Sequence, residues 1–179
     1  MGEAEARPHL ETGERRLEAG EYADAERSFR EAVAAAPDSV VAHSKLGVAL
    51  AQQGQLDAAI SEFSKALSIH PGYAPAYSNL GNAYRQKGML DEAMAAYERA
   101  VAIDPDYWVA HQNLGALYKQ TGRLSEAVEH FKKATRLSAK ATRRSGPRTG
   151  KSVAGPRRGG CLSALVAALA LVLLLGFCF

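Results

Sequence analysis

Three groups of residues have the types that chemistry needs: the Gly-Lys-Ser run in "SGPRTGKS", five histidines and two cysteines. The run would be a phosphate-binding loop if its backbone N–H groups could wrap a phosphate while the lysine reached the same oxygens. Such a loop needs about four residues between its first glycine and Gly-Lys. Here Gly146 and Gly150 enclose three, Pro147, Arg148 and Thr149, and neither a strand-like run before it nor an amphipathic helix after it supplies the context. Imidazoles bind metals when several converge, but His9, His43, His70, His111 and His130 show no ligand spacing. Cys161 and Cys178 would stand about 25 Å apart in a helix and cannot bridge within one chain. The carboxylates are spread along polar helix faces, where charge serves solubility. "MGEAEARPHL" lacks the apolar centre of a signal peptide, and Ala6 stands where a myristoylation signal wants Ser or Thr. The expectation is a protein that is not an enzyme, with no catalytic residues, metal, cofactor or small-molecule substrate.

The chain offers repetition instead. Pro37, Pro71 and Pro105 fall 34 residues apart, and the same period aligns Gly13, Gly47, Gly81 and Gly115, then Gly20, Gly54, Gly88 and Gly122. Ala25, Ala59, Ala93 and Ala127 make another column, each followed four residues later by an aromatic: Phe29, Phe63, Tyr97 and Phe131. Each period reads as two amphipathic helices joined by a short glycine turn. Gly81 and Ala93 are small enough for the paired helices to approach, Leu80, Tyr84 and Tyr97 fill the space around that contact, and the prolines stop the second helix. Gly54, Gly88 and Gly122 suit a left-handed helix C-terminus. One such pair cannot bury its apolar face, so stability requires the pairs to stack into a common core.

These columns resemble the tetratricopeptide repeat (TPR) pattern W-x2-L-G-x2-Y, A-x3-F, P, from about Ala6 to Ala141. The third period, "APAYSNLGNAYRQKGMLDEAMAAYERAVAIDPDY", carries Leu80, Gly81, Tyr84, Ala93, Tyr97, Ala100 and Pro105 on the pattern, with Tyr77 in place of Trp; Val109 to Ala134 repeats it nearly as well. The resemblance implies an all-α, right-handed TPR solenoid of about four helix pairs, a repeat domain over 1–141 with units at about 6–39, 40–73, 74–107 and 108–141. In the first unit Thr12 and Arg16 replace large apolar residues, as suits a capping repeat with a wet face. In the fourth, Ala139 takes the proline position, so the last helix is expected to run through "TRLSAKATRR" to Gly146 and Pro147, leaving its outer face to this extension or to a partner. His43 and His111, with His9, occupy the column where the family often carries an aromatic, which predicts packing inside the helix pair. His70 and His130 are assigned to helix ends or a polar face.

The family's stacks present the first helix of each pair along a concave groove, which implies a protein or peptide ligand. Lys45, Asn79 and Asn113 share one column of that groove. The similar superhelix of O-linked N-acetylglucosamine transferases carries asparagines there that hold peptide backbone, and an amide suits the task because it donates and accepts at once. Asn82, Arg85, Gln86, Gln112 and Lys119 on neighbouring columns would add polar and basic contacts. A carboxylate clamp like that of chaperone-binding TPR domains is incomplete: Asn82 and Asn113 match its asparagines, but Ser78 replaces its first lysine and no fifth unit supplies the other bases.

Charge divides the chain. Ser138 to Gly160 holds seven of the 22 Lys and Arg and no acid, so the remainder sets 15 bases against 19 acids, a net of −4. The basic stretch, expected to be a flexible linker over 142–160, lacks the interleaved aromatics of a nucleic-acid binder, and no nucleic-acid partner is expected. Residues 161–179 carry no charge; as a helix they would extend about 28 Å, close to the hydrocarbon thickness of a bilayer. The seven leucines and two valines of this tail would contribute about −3 to −5 kcal/mol to insertion. A C-terminal transmembrane helix is expected, a single-pass tail anchor with the bases holding the repeats on the cytoplasmic side and touching anionic lipid. Ala164 and Ala168 form a small-xxx-small step suited to a weak homodimer of tails, and Cys161 sits where acylation could occur. The expected function is a membrane-anchored TPR adaptor or scaffold. Its rivals are a soluble assembly or co-chaperone factor whose apolar tail caps the solenoid, and a regulatory module for an enzyme acting in trans.

Overall fold

The computed structural model describes residues 2–145. The rest of the basic linker, the Gly-Lys-Ser run from Gly146 and the expected span over 161–179 lie outside them. Among the described residues there are eight helices and no strand: α1 (Gly2–Glu18), α2 (Tyr22–Ala35), α3 (Val40–Gln52), α4 (Leu56–Ile69), α5 (Ala74–Gln86), α6 (Leu90–Ile103), α7 (Trp108–Gln120) and α8 (Leu124–Ser145). They form an all-helical TPR solenoid. From α1 to α7 every helix packs on its sequence neighbours, and α1, α3, α5 and α7 also touch in succession whereas α2, α4 and α6 do not. The first helices therefore make one continuous row, and that row positions the site.

Local chemistry sets the boundaries. At the end of α3 the Gln55 N–H donates to Leu50 and the Gly54 N–H to Ala51, at 3.0 Å each, and the same paired bonds close α1, α5 and α7. This closure needs a left-handed residue, and Gly54 has φ +77°. The second helices stop differently: Ala36, His70 and Asp104, each preceding a proline, are extended with φ between −128° and −137°, because the proline ring excludes the helical region for the residue before it. With Ala139 at that position α8 continues to Ser145. At the other end α1 begins at Gly2, four residues before the expected unit. Ala6 and Leu10 hold this extra turn by packing against Ala32, Val33, Ala35 and Ala36, despite Pro8 inside the helix.

The core follows the glycine and aromatic columns. Phe29, Phe63 and Tyr97 are 0–1 % exposed, each with its ring edge against the small residue of the partner helix: a methyl on Gly13, Gly47 or Gly81 would meet ring carbons at 2.4–2.6 Å. Ala25, Leu46, Leu50 and Leu80 complete the core of the first three units; Leu114, Leu117 and Ala127 surround Tyr97 in the next, and Tyr84 packs against both groups. Among the described residues no helix pair follows the last unit. Phe131 is accordingly only half-buried, and Leu124 and Val128 on α8 are 62 % and 49 % exposed. Arg16 in the first unit is not simply solvated, since it pairs with Asp24 on α2 at 2.9 Å. Among the described residues no helix is long and apolar enough to cross a membrane.

Candidate functional site

The eight residues singled out from the sequence all lie on first helices: Lys45 on α3; Asn79, Asn82, Arg85 and Gln86 on α5; Gln112, Asn113 and Lys119 on α7. Their surroundings divide them. Asn79 is half-buried and no side-chain bond occupies its amide among the described residues, while Gln86, Gln112 and Lys119 are exposed. Asn113 donates from Nδ2 to Ser78 Oγ at 3.0 Å, tying α7 to α5, which leaves its carbonyl and second N–H available. Lys45 Nζ pairs with Glu14 of α1 at 2.9 Å, both partly exposed, so its charge is largely neutralised before any ligand arrives.

Asn82 and Arg85 turn toward the partner helix. The Tyr97 hydroxyl donates to Asn82 Oδ1 at 2.7 Å. Burial pushes the Tyr97 phenol above its ordinary value, and the Arg85 guanidinium beside it opposes that rise. Arg85 Nε is buried with no hydrogen-bond partner. Ser78, at the clamp position that wants a lysine, is 1 % exposed and its hydroxyl is engaged by Asn113. The row thus presents the unbonded amide of Asn79 and the remaining N–H and carbonyl of Asn113, together with Gln86, Gln112 and the Lys119 ammonium. That set can bond an extended main chain without reading its side chains.

The histidines are ordered by the same columns. His43, 6 % exposed, reaches the Pro37 carbonyl through Nε2 at 2.8 Å and Glu62 through Nδ1 at 2.7 Å. Its carboxylate partner is desolvated, but hydrogen bonds from Lys65 and His43 outweigh that and hold Glu62 below its ordinary value. His111, 1 % exposed, repeats the bond to the preceding loop, Nε2 to the Pro105 carbonyl at 3.1 Å, and its Nδ1 lies 3.1 Å from Nδ1 of His130. Both are therefore packed inside the helix pair, as their column implied. His9 is more open and contacts Glu31 at 2.9 Å. His70 is exposed at the end of α4, whereas His130 does not lie on a polar face: its ring is half-buried 5.2 Å from that of His111 and 5.3 Å from Tyr118. Sequence reasoning missed that pair. Its signal is a spacing of 19 residues, shared by His43 and Glu62 two periods earlier. Among the described residues no group of three or more His, Cys, Asp or Glu could hold a metal ion.

Family models described as tetratricopeptide repeat match residues 10–74, 50–100 and 108–141, and one described as TPR repeat matches 81–122. The comparison with curated proteins finds no match. Among solved structures, MamA is 32 % identical with a TM-score of 0.64, the match covering 76 % of this chain and 80 % of MamA. MamA from Desulfovibrio magneticus RS-1 is 27 % identical at a TM-score of 0.64, covering 75 % of this chain and 76 % of that one. The first TPR of Spaghetti, bound to an HSP90 peptide, is 23 % identical and shares the fold with a TM-score of 0.62, over 67 % of this chain and 95 % of that one. With its repeat columns, helix pairs and family matches in agreement, this chain belongs to the tetratricopeptide repeat family.

Proposed function

We propose that this protein is a scaffold that holds an extended segment of a protein partner along the row of first helices, and that residues 161–179 tether it to a membrane with the repeats on the cytoplasmic side. The observation that carries the binding reading is the pair of equivalent asparagines, Asn79 on α5 and Asn113 on α7, whose amides retain unbonded donors and acceptors on the face where successive first helices touch. Paired donors and acceptors at successive units suit a peptide backbone, which presents both at every residue. The Spaghetti TPR, bound to an HSP90 peptide, gives a precedent for such capture on the same fold. Recognition of a C-terminal carboxylate is the weaker form of this reading, because buried Ser78 stands where a cation would grip the carboxylate. The tether reading rests on the uncharged run from Cys161 to Phe179 and on the basic stretch before it.

Two arms of one experiment test the proposal. The full chain and a version ending at Gly160 are expressed, and membranes are extracted with alkaline carbonate. Retention of only the full chain, with its repeats open to protease from the cytoplasmic side, supports the tether; release of both refutes it. Partners cross-linked to the full chain are then compared with those of Asn79→Ala/Asn113→Ala. Unchanged capture by a variant with native helicity rules out the first-helix row.

A further inference from the structure

A second site, sharing none of the eight residues described above, is a cleft of about 450 Å³ lined by residues of α6, α7 and α8. Val101 supplies an apolar wall, His111 and His130 contribute their paired imidazoles, and Glu129, Lys132, Lys133 and Arg136 line the α8 side. Lys132 pairs with Glu129 at 3.0 Å, so these two charges cancel. Lys133 and Arg136, three residues apart on one helix face, leave the cleft cationic; Asp106, which also interacts with Lys133, is paired with Lys140 at 2.9 Å. A metal ion would meet those two charges. It would also have to break the imidazole pair, since His111 Nε2–H donates to the Pro105 carbonyl and its Nδ1 accepts from His130 Nδ1–H. That arrangement leaves His130 Nε2 as the ring nitrogen that can gain a proton without losing a bond.

We propose that this cleft binds the dianion of a phosphate monoester, with Lys133 and Arg136 holding the phosphoryl oxygens and His130 gaining a proton at Nε2 as the anion enters. The volume exceeds that of a bare ion, and the wall at Val101 accommodates the organic part of the ester. Free small phosphomonoesters and a phosphorylated side chain of a peptide share this chemistry. His130 faces Glu98 from α6, His111 and Tyr118 from α7, and Lys133 on its own helix. Burial first, then His111 and Lys133, hold its imidazole below the ordinary histidine value, with Glu98 opposing. An anion beside Lys133 offsets the repulsion between that ammonium and a protonated His130, so binding tightens as pH falls through the histidine range.

The test uses the full chain in detergent micelles with 15N-labelled histidine, the His130 resonance being assigned through His130→Gln. Sulfate is the first probe, since it stays doubly charged throughout the histidine range, and sodium chloride at equal ionic strength is the control. The expected result is a saturable shift at His130 with sulfate alone, tighter at lower pH. Lys133→Ala should weaken it about tenfold, as loss of one charge-assisted contact does, and Arg99→Ala, a change on α6 outside the cleft lining, should leave it unchanged. Equal shifts in chloride, or undiminished binding by a Lys133→Ala variant with native circular dichroism, would overturn the proposal. O-phosphoserine and a phosphoserine peptide then separate the sources: tighter binding of the peptide assigns the site to a phosphorylated partner, equal binding to a small ester. Binding of sulfate with neither phosphate refutes the ligand class.

Discussion

Gly81→Ala tests the packing logic of the whole stack, because two well-known effects oppose each other there. In an exposed helix interior the change stabilises by about 1 kcal/mol. At Gly81 the added methyl would sit 2.6, 2.7 and 3.0 Å from Cε1, Cδ1 and Cζ of Tyr97, against a comfortable carbon separation of about 3.5–4.0 Å. The ring must shift by about 1 Å, and it has nowhere to go: Tyr97 is 0 % exposed and its hydroxyl is bonded to Asn82. Overpacking of this kind costs about 1–3 kcal/mol, and loss of the hydroxyl bond adds about 0.5–1.5 kcal/mol. Set against the propensity gain, the expected net is a loss of about 0.5–3.5 kcal/mol.

The assay is urea unfolding of the full chain in micelles, followed by helical circular dichroism, comparing midpoints at unchanged slope. A second background makes the reasoning sharp. Tyr97→Leu removes the obstructing ring carbons, so Gly81→Ala should cost less there than in the parent, with a coupling of about 1–2 kcal/mol across the cycle. If Gly81→Ala is neutral or stabilising, or if the two changes simply add, the close approach of α5 to the Tyr97 ring does not limit the residue at 81.

Three further outcomes are expected. Gly88→Ala should destabilise by about 1–2 kcal/mol because of its left-handed backbone, at φ +80° with no neighbour within 4 Å; unlike Gly81→Ala, it should not be relieved by Tyr97→Leu in the same unfolding assay. His111 and His130 are held below 6.5, burial first in each case. The unfolded chain therefore takes up protons first as pH falls through 6.5, stability declines with acidification by at most about 1.4 kcal/mol per pH unit for each group, and His130→Gln should flatten the pH dependence of the urea midpoint. Ala139→Pro should end α8 near the position where Pro37, Pro71 and Pro105 end their helices; a loss of helical signal from the final turns, with the core transition intact, is the expected circular dichroism result.

Much of the fold was legible because each repeat column carries a local physical requirement. The glycine turns, the stops before proline and the continuation of α8 through Ala139 all depend on backbone terms that one residue type decides. What resisted reading depends on which neighbour a polar side chain finds. Asn82 and Asn113 differ little as letters, yet the first is turned onto Tyr97 and the second bridges to Ser78. Lys45 reads as a free base until Glu14 of the preceding first helix is placed beside it. The early start of α1 was also hidden, since Pro8 argues locally against a helix and only the docking of Ala6 and Leu10 overrides it.

The histidine pairs show how a periodic scaffold can hold different chemistry at equivalent places. His43 with Glu62 and His111 with His130 have the same separation and the same Nε2 bond to the carbonyl of the preceding proline. His43 contacts the Pro37 carbonyl through Nε2 and the Glu62 carboxylate through Nδ1, and the pair is buried where breaking it would leave the Glu62 carboxylate poorly compensated. Replacing the carboxylate by an imidazole changes the balance: burial first, and then repulsion from Lys133, disfavour protonation of His111 and His130. Glu62→Gln and His130→Gln should therefore act in different pH ranges. The first removes a contribution that the native protein loses only as Glu62 itself protonates, below its ordinary 4.5; the second removes a penalty that sets in below 6.5. If both variants instead shifted the urea midpoint equally across the whole range, the two pairs would be interchangeable packing contacts, and the cleft beside His130 would have no claim to respond to charge.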